Sequence, residues 1–151
     1  MYRGIKKKRE KFITPELVWE IALKNMRVKH LKVLLKNIKW IISDITEFYP
    51  TQEYDVWHDR AVFHFLIENN NIEKYQNLVN ANVKKNGYFI LATFANNGPD
   101  KCSGLPVSKY SEKDQARKFK DCFISLDSFK YKHPTPFGTT QNFIFSVFKK
   151  Q

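Results

Sequence analysis

Tyr88-Phe89-Ile90-Leu91-Ala92-Thr93-Phe94 is a run that is apolar on both of its alternating faces. A strand of that kind belongs in the middle of a sheet covered on both sides, typically a parallel one. Just before it, Asn86-Gly87 has the composition of a helix stop, because glycine tolerates the left-handed conformation found there. Further upstream, Ile72, Tyr75, Leu78, Val79 and Val83 recur at helical spacing behind the cap cluster Asn69-Asn70-Asn71. The segment from Tyr54 to Phe65 begins as a strand and ends in the mixed stretch His58-Asp59-Arg60. Strand, helix and strand within about forty residues make a βαβ unit, which predicts an α/β fold.

The pattern extends in both directions. Ile38-Lys39-Trp40-Ile41-Ile42 is short, β-branched and aromatic, stops at Ser43-Asp44, and predicts another strand. Thr14-Pro15-Glu16 is a helix start, with a cap, a proline suited to the first turn and an acid at the positive end of the dipole. It predicts a helix from Pro15 to about Leu35. Residues 1–13 form a basic arm, and residues 14–151 are expected to form one domain. Downstream, the loop from Ala95 to Tyr110 is rich in Asn, Gly, Pro and Ser, and a polar helix follows over about Glu112 to Lys118. Phe123–Tyr131 and Gln141–Phe148 alternate like strands and are joined by His133–Thr140, which predicts an antiparallel pair at one edge of a mixed sheet.

Composition narrows the class. The 151 residues are 42% hydrophobic and 15% aromatic, enough for a packed core and against disorder for most of the chain. The net charge of +11 is uneven: residues 1–40 hold 12 Lys/Arg against 3 Asp/Glu, leaving 14 against 12 elsewhere. The basic excess therefore belongs to one end. Two cysteines, Cys102 and Cys122, supply neither a disulfide framework nor a four-ligand zinc site. No apolar run is long enough to cross a bilayer, and the basic start lacks the apolar stretch of a secretory signal. The expectation is a reduced, cytoplasmic, soluble protein without a metal or a membrane partner.

Several segments together carry a resemblance. They are Trp40 to Phe48, the stretch Tyr54-Asp55-Val56-Trp57-His58-Asp59-Arg60-Ala61-Val62-Phe63-His64-Phe65-Leu66, Asn86 to Phe94, Gly98 to Pro106, and Thr135-Pro136-Phe137-Gly138-Thr139. In order and spacing, Ser43 to Lys149 resembles the class I S-adenosylmethionine-dependent methyltransferases of small bacterial type. The resemblance implies a Rossmann-like sheet of seven strands in the order 3-2-1-4-5-7-6, with strand 7 antiparallel. Ile38–Ser43 would be strand 3, Tyr54–Trp57 strand 4, Tyr88–Phe94 strand 5, Phe123–Tyr131 strand 6 and Gln141–Phe148 strand 7.

It also implies a cofactor, S-adenosyl-L-methionine, at the carboxyl ends of the strands. Asp44 would accept a hydrogen bond from the adenine amino group, Ile45 would offer its backbone N–H to the ring, and His58, Asp59 and Arg60 would lie below the methionine end. Each residue has a plainer reading beside this one. Asp44 is a turn former, Asp59 and Arg60 are a local ion pair, His64 is a packed core histidine, and Cys102 is a structural loop residue.

The family's cofactor half carries a Gly-x-Gly turn and an acidic residue that binds the ribose. The five glycines here are Gly4, Gly87, Gly98, Gly104 and Gly138, and no two stand one residue apart. Strands 1 and 2 find no counterpart in the 37 residues before Ile38. The expected sheet is therefore an incomplete 3-4-5-7-6, truncated at its cofactor half, from a shortened gene, a split protein with a complementing fragment, or a remnant. The implied function is methyl transfer to an unidentified acceptor, with S-adenosyl-L-methionine bound weakly or not at all and no catalytic residue assignable. The alternative is a non-enzymatic module contacting nucleic acid or an acidic partner through the basic N-terminus.

Overall fold

The computed structural model describes residue 39, residues 41–135 and residues 138–151, which fall into one unit ending at Phe48 and another running from Tyr49 to Gln151. The expected basic arm and the helix from Pro15 to Leu35 lie outside the described residues. In the first unit, Ile41, Ile42 and Ser43 form no strand, and Ile41 and Ile42 are 51% and 65% exposed. The expected strand over Ile38–Ser43 is thus not formed in its described part. β-branched residues favour a strand when a pleated surface receives them, and here these two face solvent.

The second unit begins with β1 (Tyr54–Arg60), a one-turn 3-10 helix (Phe63–Phe65), α1 (Asn69–Asn82) and β2 (Val83–Phe94). A short hairpin follows, β3 (Lys101–Cys102) and β4 (Leu105–Pro106), then α2 (Glu112–Phe119), β5 (Phe123–Pro134) and β6 (Thr140–Lys150). The main sheet has the order β1-β2-β6-β5, with β1 parallel to β2 and the other two pairings antiparallel. This is the expected 4-5-7-6 arrangement, with the apolar Tyr88–Phe94 run at its centre. Among the described residues β1 is paired on one side only.

Local chemistry explains the elements, with two departures. Asn69–Asn71 do not cap α1: they form its first turn, and Glu68 occupies the cap position without a side-chain bond. Nor does Asn86-Gly87 end the helix, which stops at Asn82, four residues earlier. The last carbonyls of α1 instead meet the Lys150 ammonium, which donates to Asn80 O and, at 2.8 Å, to Val83 O. Asn86 does adopt the left-handed conformation, at φ 64°, inside a bulge where the register with β1 jumps from Tyr54↔Val83 to Val56↔Tyr88. Gly87 is required in that bulge, because a Cβ would sit 2.8 Å from Lys84 O and 2.9 Å from Asp55 O. α2 begins with a full capping box. Ser111 Oγ accepts from the Asp114 N–H, and Asp114 Oδ2 accepts from the Ser111 N–H.

Both helices contact one face of the sheet. There Phe89, Leu91 and Thr93 of β2 stand beside Phe148, Ser146 and Ile144 of β6. Phe63 is fully buried among the rings of Tyr75, Tyr110 and Phe119, and Phe119 reaches Phe89 at 4.9 Å. On the other face, Ala92, Phe94 and Phe143 form a smaller core with Ala61, Cys102, Val107 and Phe145. The β3–β4 hairpin turns on Ser103 and Gly104, both at positive φ.

Candidate functional site

The carboxyl ends of β1 and β2 collect the features that chemistry could use. β1 runs through Arg60, so His58, Asp59 and Arg60 are the last residues of a strand and not a turn. Asp59 is buried at 3% exposure on the helical face, and its two neighbours are exposed. The Asp59 carboxylate accepts from the backbone N–H of Val62 at 2.8 Å, from that of Phe63 at 3.0 Å, and from the Tyr75 hydroxyl at 2.5 Å. It caps the 3-10 turn and anchors α1. Burial and the adjacent Asp59 carboxylate together push the Tyr75 hydroxyl well above the ordinary tyrosine range. The chain then turns through Ala61 at φ 65°.

Arg60 points to the opposite face. Its guanidinium lies over the Phe143 ring, 5.9 Å from the centroid, and its Nη2 approaches His133 Nδ1 at 3.3 Å. Asp59 and Arg60, expected as a local ion pair, stand on opposite faces of β1, as consecutive strand residues do. His133 comes from the end of β5, 73 residues away in sequence. The β5–β6 hairpin extends past the last β2–β6 pair, Phe94↔Phe143, to Pro134↔Thr140, which brings His133 to this edge. Beyond that pair the Thr135 N–H donates to Thr139 O and the Gly138 N–H to Thr135 O, with Gly138 at φ 76°.

In the first unit, Asp44 opens a turn. Its Oδ1 accepts from Thr46 N at 2.8 Å and Thr46 Oγ1 at 2.7 Å, and its carbonyl accepts from the Glu47 N–H. No described residue donates to Oδ2. Asp44 and Ile45 are both half-buried. The turn-former reading of Asp44 is therefore met, and one carboxylate oxygen remains for a ligand.

A cavity of about 140 Å3 opens beyond β2, lined in part by Asn96, Asn97, Tyr110 and Ser111 and flanked by the 3.7 Å Lys130–Glu112 pair. It lies beside the loop from Ala95 to Tyr110. Small-molecule sites usually enclose roughly 300–1,000 Å3, so it suits a small acceptor group and not a nucleoside. Lys109 and Asp100, 2.6 Å apart, brace this loop across the hairpin, and the ammonium holds the Asp100 carboxyl below its usual range. His64 is fully buried between the rings of Phe65 and Phe94, as a packed histidine. Cys102 is half-buried against the smaller core. Among the described residues no cluster of His, Cys, Asp or Glu could hold a metal, and no helix is long and apolar enough to cross a membrane.

Sequence reasoning missed one polar cluster altogether. The buried Gln115 amide donates to Thr93 Oγ1 at 2.8 Å, and its carbonyl oxygen accepts from Ser146 Oγ at 2.5 Å. Ser146 also shares a 2.8 Å bond with Ser128. The network joins α2, β2, β6 and β5.

No family model and no curated protein matches the chain. Solved structures do. N-methyltransferase NodS from Bradyrhizobium japonicum WM9, crystallised with S-adenosyl-L-homocysteine, is 9% identical with a TM-score of 0.59, over 91% of this chain and 63% of NodS. A second NodS crystal structure gives 11% identity and a TM-score of 0.61, over 92% of this chain and 70% of NodS. An S-adenosylmethionine-dependent methyltransferase from Clostridium acetobutylicum gives 14% and 0.58, over 91% and 72%. At these identities the likeness is one of fold, and in the first of these comparisons the chain spans less than two thirds of NodS.

Proposed function

From a chain with the class I S-adenosylmethionine-dependent methyltransferase fold, we propose a methyltransferase-like protein that brings a methyl acceptor to the carboxyl ends of β1 and β2. The observation that carries this reading is the β1-β2-β6-β5 order with its antiparallel last pair, shared in fold with methyltransferases, one of them holding S-adenosyl-L-homocysteine.

The residues fit part of the cofactor. Asp44 has one oxygen fixed by Thr46 and the other without a described donor, as an acceptor for an adenine amino group requires. Ile45 follows it to offer a backbone N–H. At the end of β1 the chain's own role is positional. Asp59 holds the Val62–Phe63 turn rigid, and His58 and Arg60 stay at the surface. When bound, S-adenosyl-L-methionine would supply an electrophilic methyl group. Catalysis of such a transfer rests mainly on aligning donor and acceptor, which rigid strand ends favour.

No Gly-x-Gly turn occurs in the sequence, so about three hydrogen bonds to ribose and methionine are missing. At roughly 1.5–2 kcal/mol each, affinity falls by about 10^3–10^4. Calorimetric titration with S-adenosyl-L-methionine tests the reading. The expected dissociation constant is millimolar or weaker, with binding abolished by Asp44→Ala. Binding that is indifferent to Asp44→Ala, or no binding at all, would remove the cofactor from the proposal.

A further inference from the structure

The Arg60–His133 contact, on the face of the sheet opposite α1 and α2, has a chemistry of its own. An arginine only donates, so His133 Nδ1 must accept, and the imidazole proton then sits on Nε2. Arg60 commits one of its five N–H donors to His133, and none of the ion pairs among the described residues engages it. Four guanidinium donors and one imidazole donor thus gather at one point, with no carboxylate among the described residues paired to the guanidinium.

The surroundings are flat and aromatic. Phe143 lies under the guanidinium, the Phe143 and Tyr131 rings stand 6.0 and 6.2 Å from His133, and Tyr131 is 44% exposed. Phe145 closes the wall, 6.2 Å from Tyr131. A guanidinium fork matches a carboxylate in two parallel hydrogen bonds, and exposed rings offer an arene a surface that phosphate cannot use. We infer that Arg60 and His133 bind the carboxylate of an aromatic acid, whose ring lies against the exposed Tyr131.

The inference rests on the methyltransferase reading for what the bound molecule is for, an aryl carboxylate as methyl acceptor, but not for the binding itself. Arg60 then anchors the acceptor and not the methionine end of the cofactor.

Titration of the full chain with benzoate, without S-adenosyl-L-methionine, is the test. Benzoate should bind in the millimolar range and about threefold or more tighter than acetate or inorganic phosphate. Arg60→Gln should weaken it about tenfold or more, and His133→Phe, which keeps the ring packing, by severalfold. Lys74→Gln, which removes an exposed cation from α1, should leave it unchanged. In the unmutated chain, benzoate should shift the His133 ring resonances among those of the four histidines, a readout that survives if a variant fails to fold. Benzoate no tighter than phosphate, an unaffected Arg60→Gln, or an unmoved His133 would each overturn the site. A chain that binds benzoate in this pattern but not S-adenosyl-L-methionine keeps the site and loses the methyl transfer.

Discussion

The Tyr75 hydroxyl donates a 2.5 Å hydrogen bond to Asp59 Oδ2, tying the middle of α1 to the carboxyl end of β1. Tyr75→Phe removes one of the donors that keep a buried carboxylate solvated by protein. The expected loss is about 1.5–3 kcal/mol, the range for a hydrogen bond to a charged group, read as a lower urea midpoint at neutral pH. The Tyr75 hydroxyl ionises above its unfolded value. Its stabilisation is therefore complete below about pH 10 and is lost as pH rises through the folded value. Tyr75→Phe should flatten that alkaline decline. An equal decline in both proteins would show that Tyr75 does not govern it.

The Gln115 network makes a different forecast. Gln115→Leu leaves Thr93 and Ser146 buried without their shared partner and should cost about 2–4 kcal/mol. The triple replacement Thr93→Val, Gln115→Leu, Ser146→Ala removes every fully buried member and should recover most of that loss. Denaturant unfolding of the two variants measures the difference. A triple variant weaker than Gln115→Leu alone would mean that packing, and not hydrogen bonding, sets the energy there.

At the start of α2, the Ser111 hydroxyl and backbone N–H hold the Asp114 carboxyl below the ordinary aspartate range. A lowered carboxyl stabilises above its unfolded value near 3.8, and loses that contribution as pH falls through the folded one. Ser111→Ala should cost about 1 kcal/mol at pH 7, a fall on the order of 4 °C in melting temperature. Asp114→Asn should remove part of the acid limb below about pH 4. Melting curves taken across that range would expose an unchanged limb if the capping box were not formed.

What the sequence made legible were features with a local cause. Tyr88–Phe94 announces a central strand because seven consecutive residues have nowhere polar to face. The polar stretch from Glu112 to Lys118 reads as a helix and forms one, over Glu112–Phe119. Asn86-Gly87 reads as a helix stop with glycine in the left-handed position, whereas Asn86 adopts that conformation in a strand bulge, and nothing local distinguishes the two. The helix ends earlier because Val83 pairs with Tyr54 and Lys150 meets the last carbonyls, partners 29 and 67 residues away. Arg60 was singled out by resemblance, but its partner His133 was not, because only the reach of the β5–β6 hairpin unites them. Gln115 sits in a polar helix and gives no sign that Thr93 and Ser146 will bury it.

The sheet order carries a consequence for synthesis. β2 pairs on one side with β1, which precedes it, but on the other with β6, whose Phe143 meets Phe94. At roughly 5–20 residues per second, the ribosome needs about 2.5–10 s to make the intervening stretch. For that interval the most apolar segment of the chain has an open edge and no cross-strand partner on that side. A nascent chain in this state is a substrate for holding chaperones, and also a template for strand addition by its neighbours on a polysome. β6, made well after β2, is thus the strand that closes the centre of the sheet.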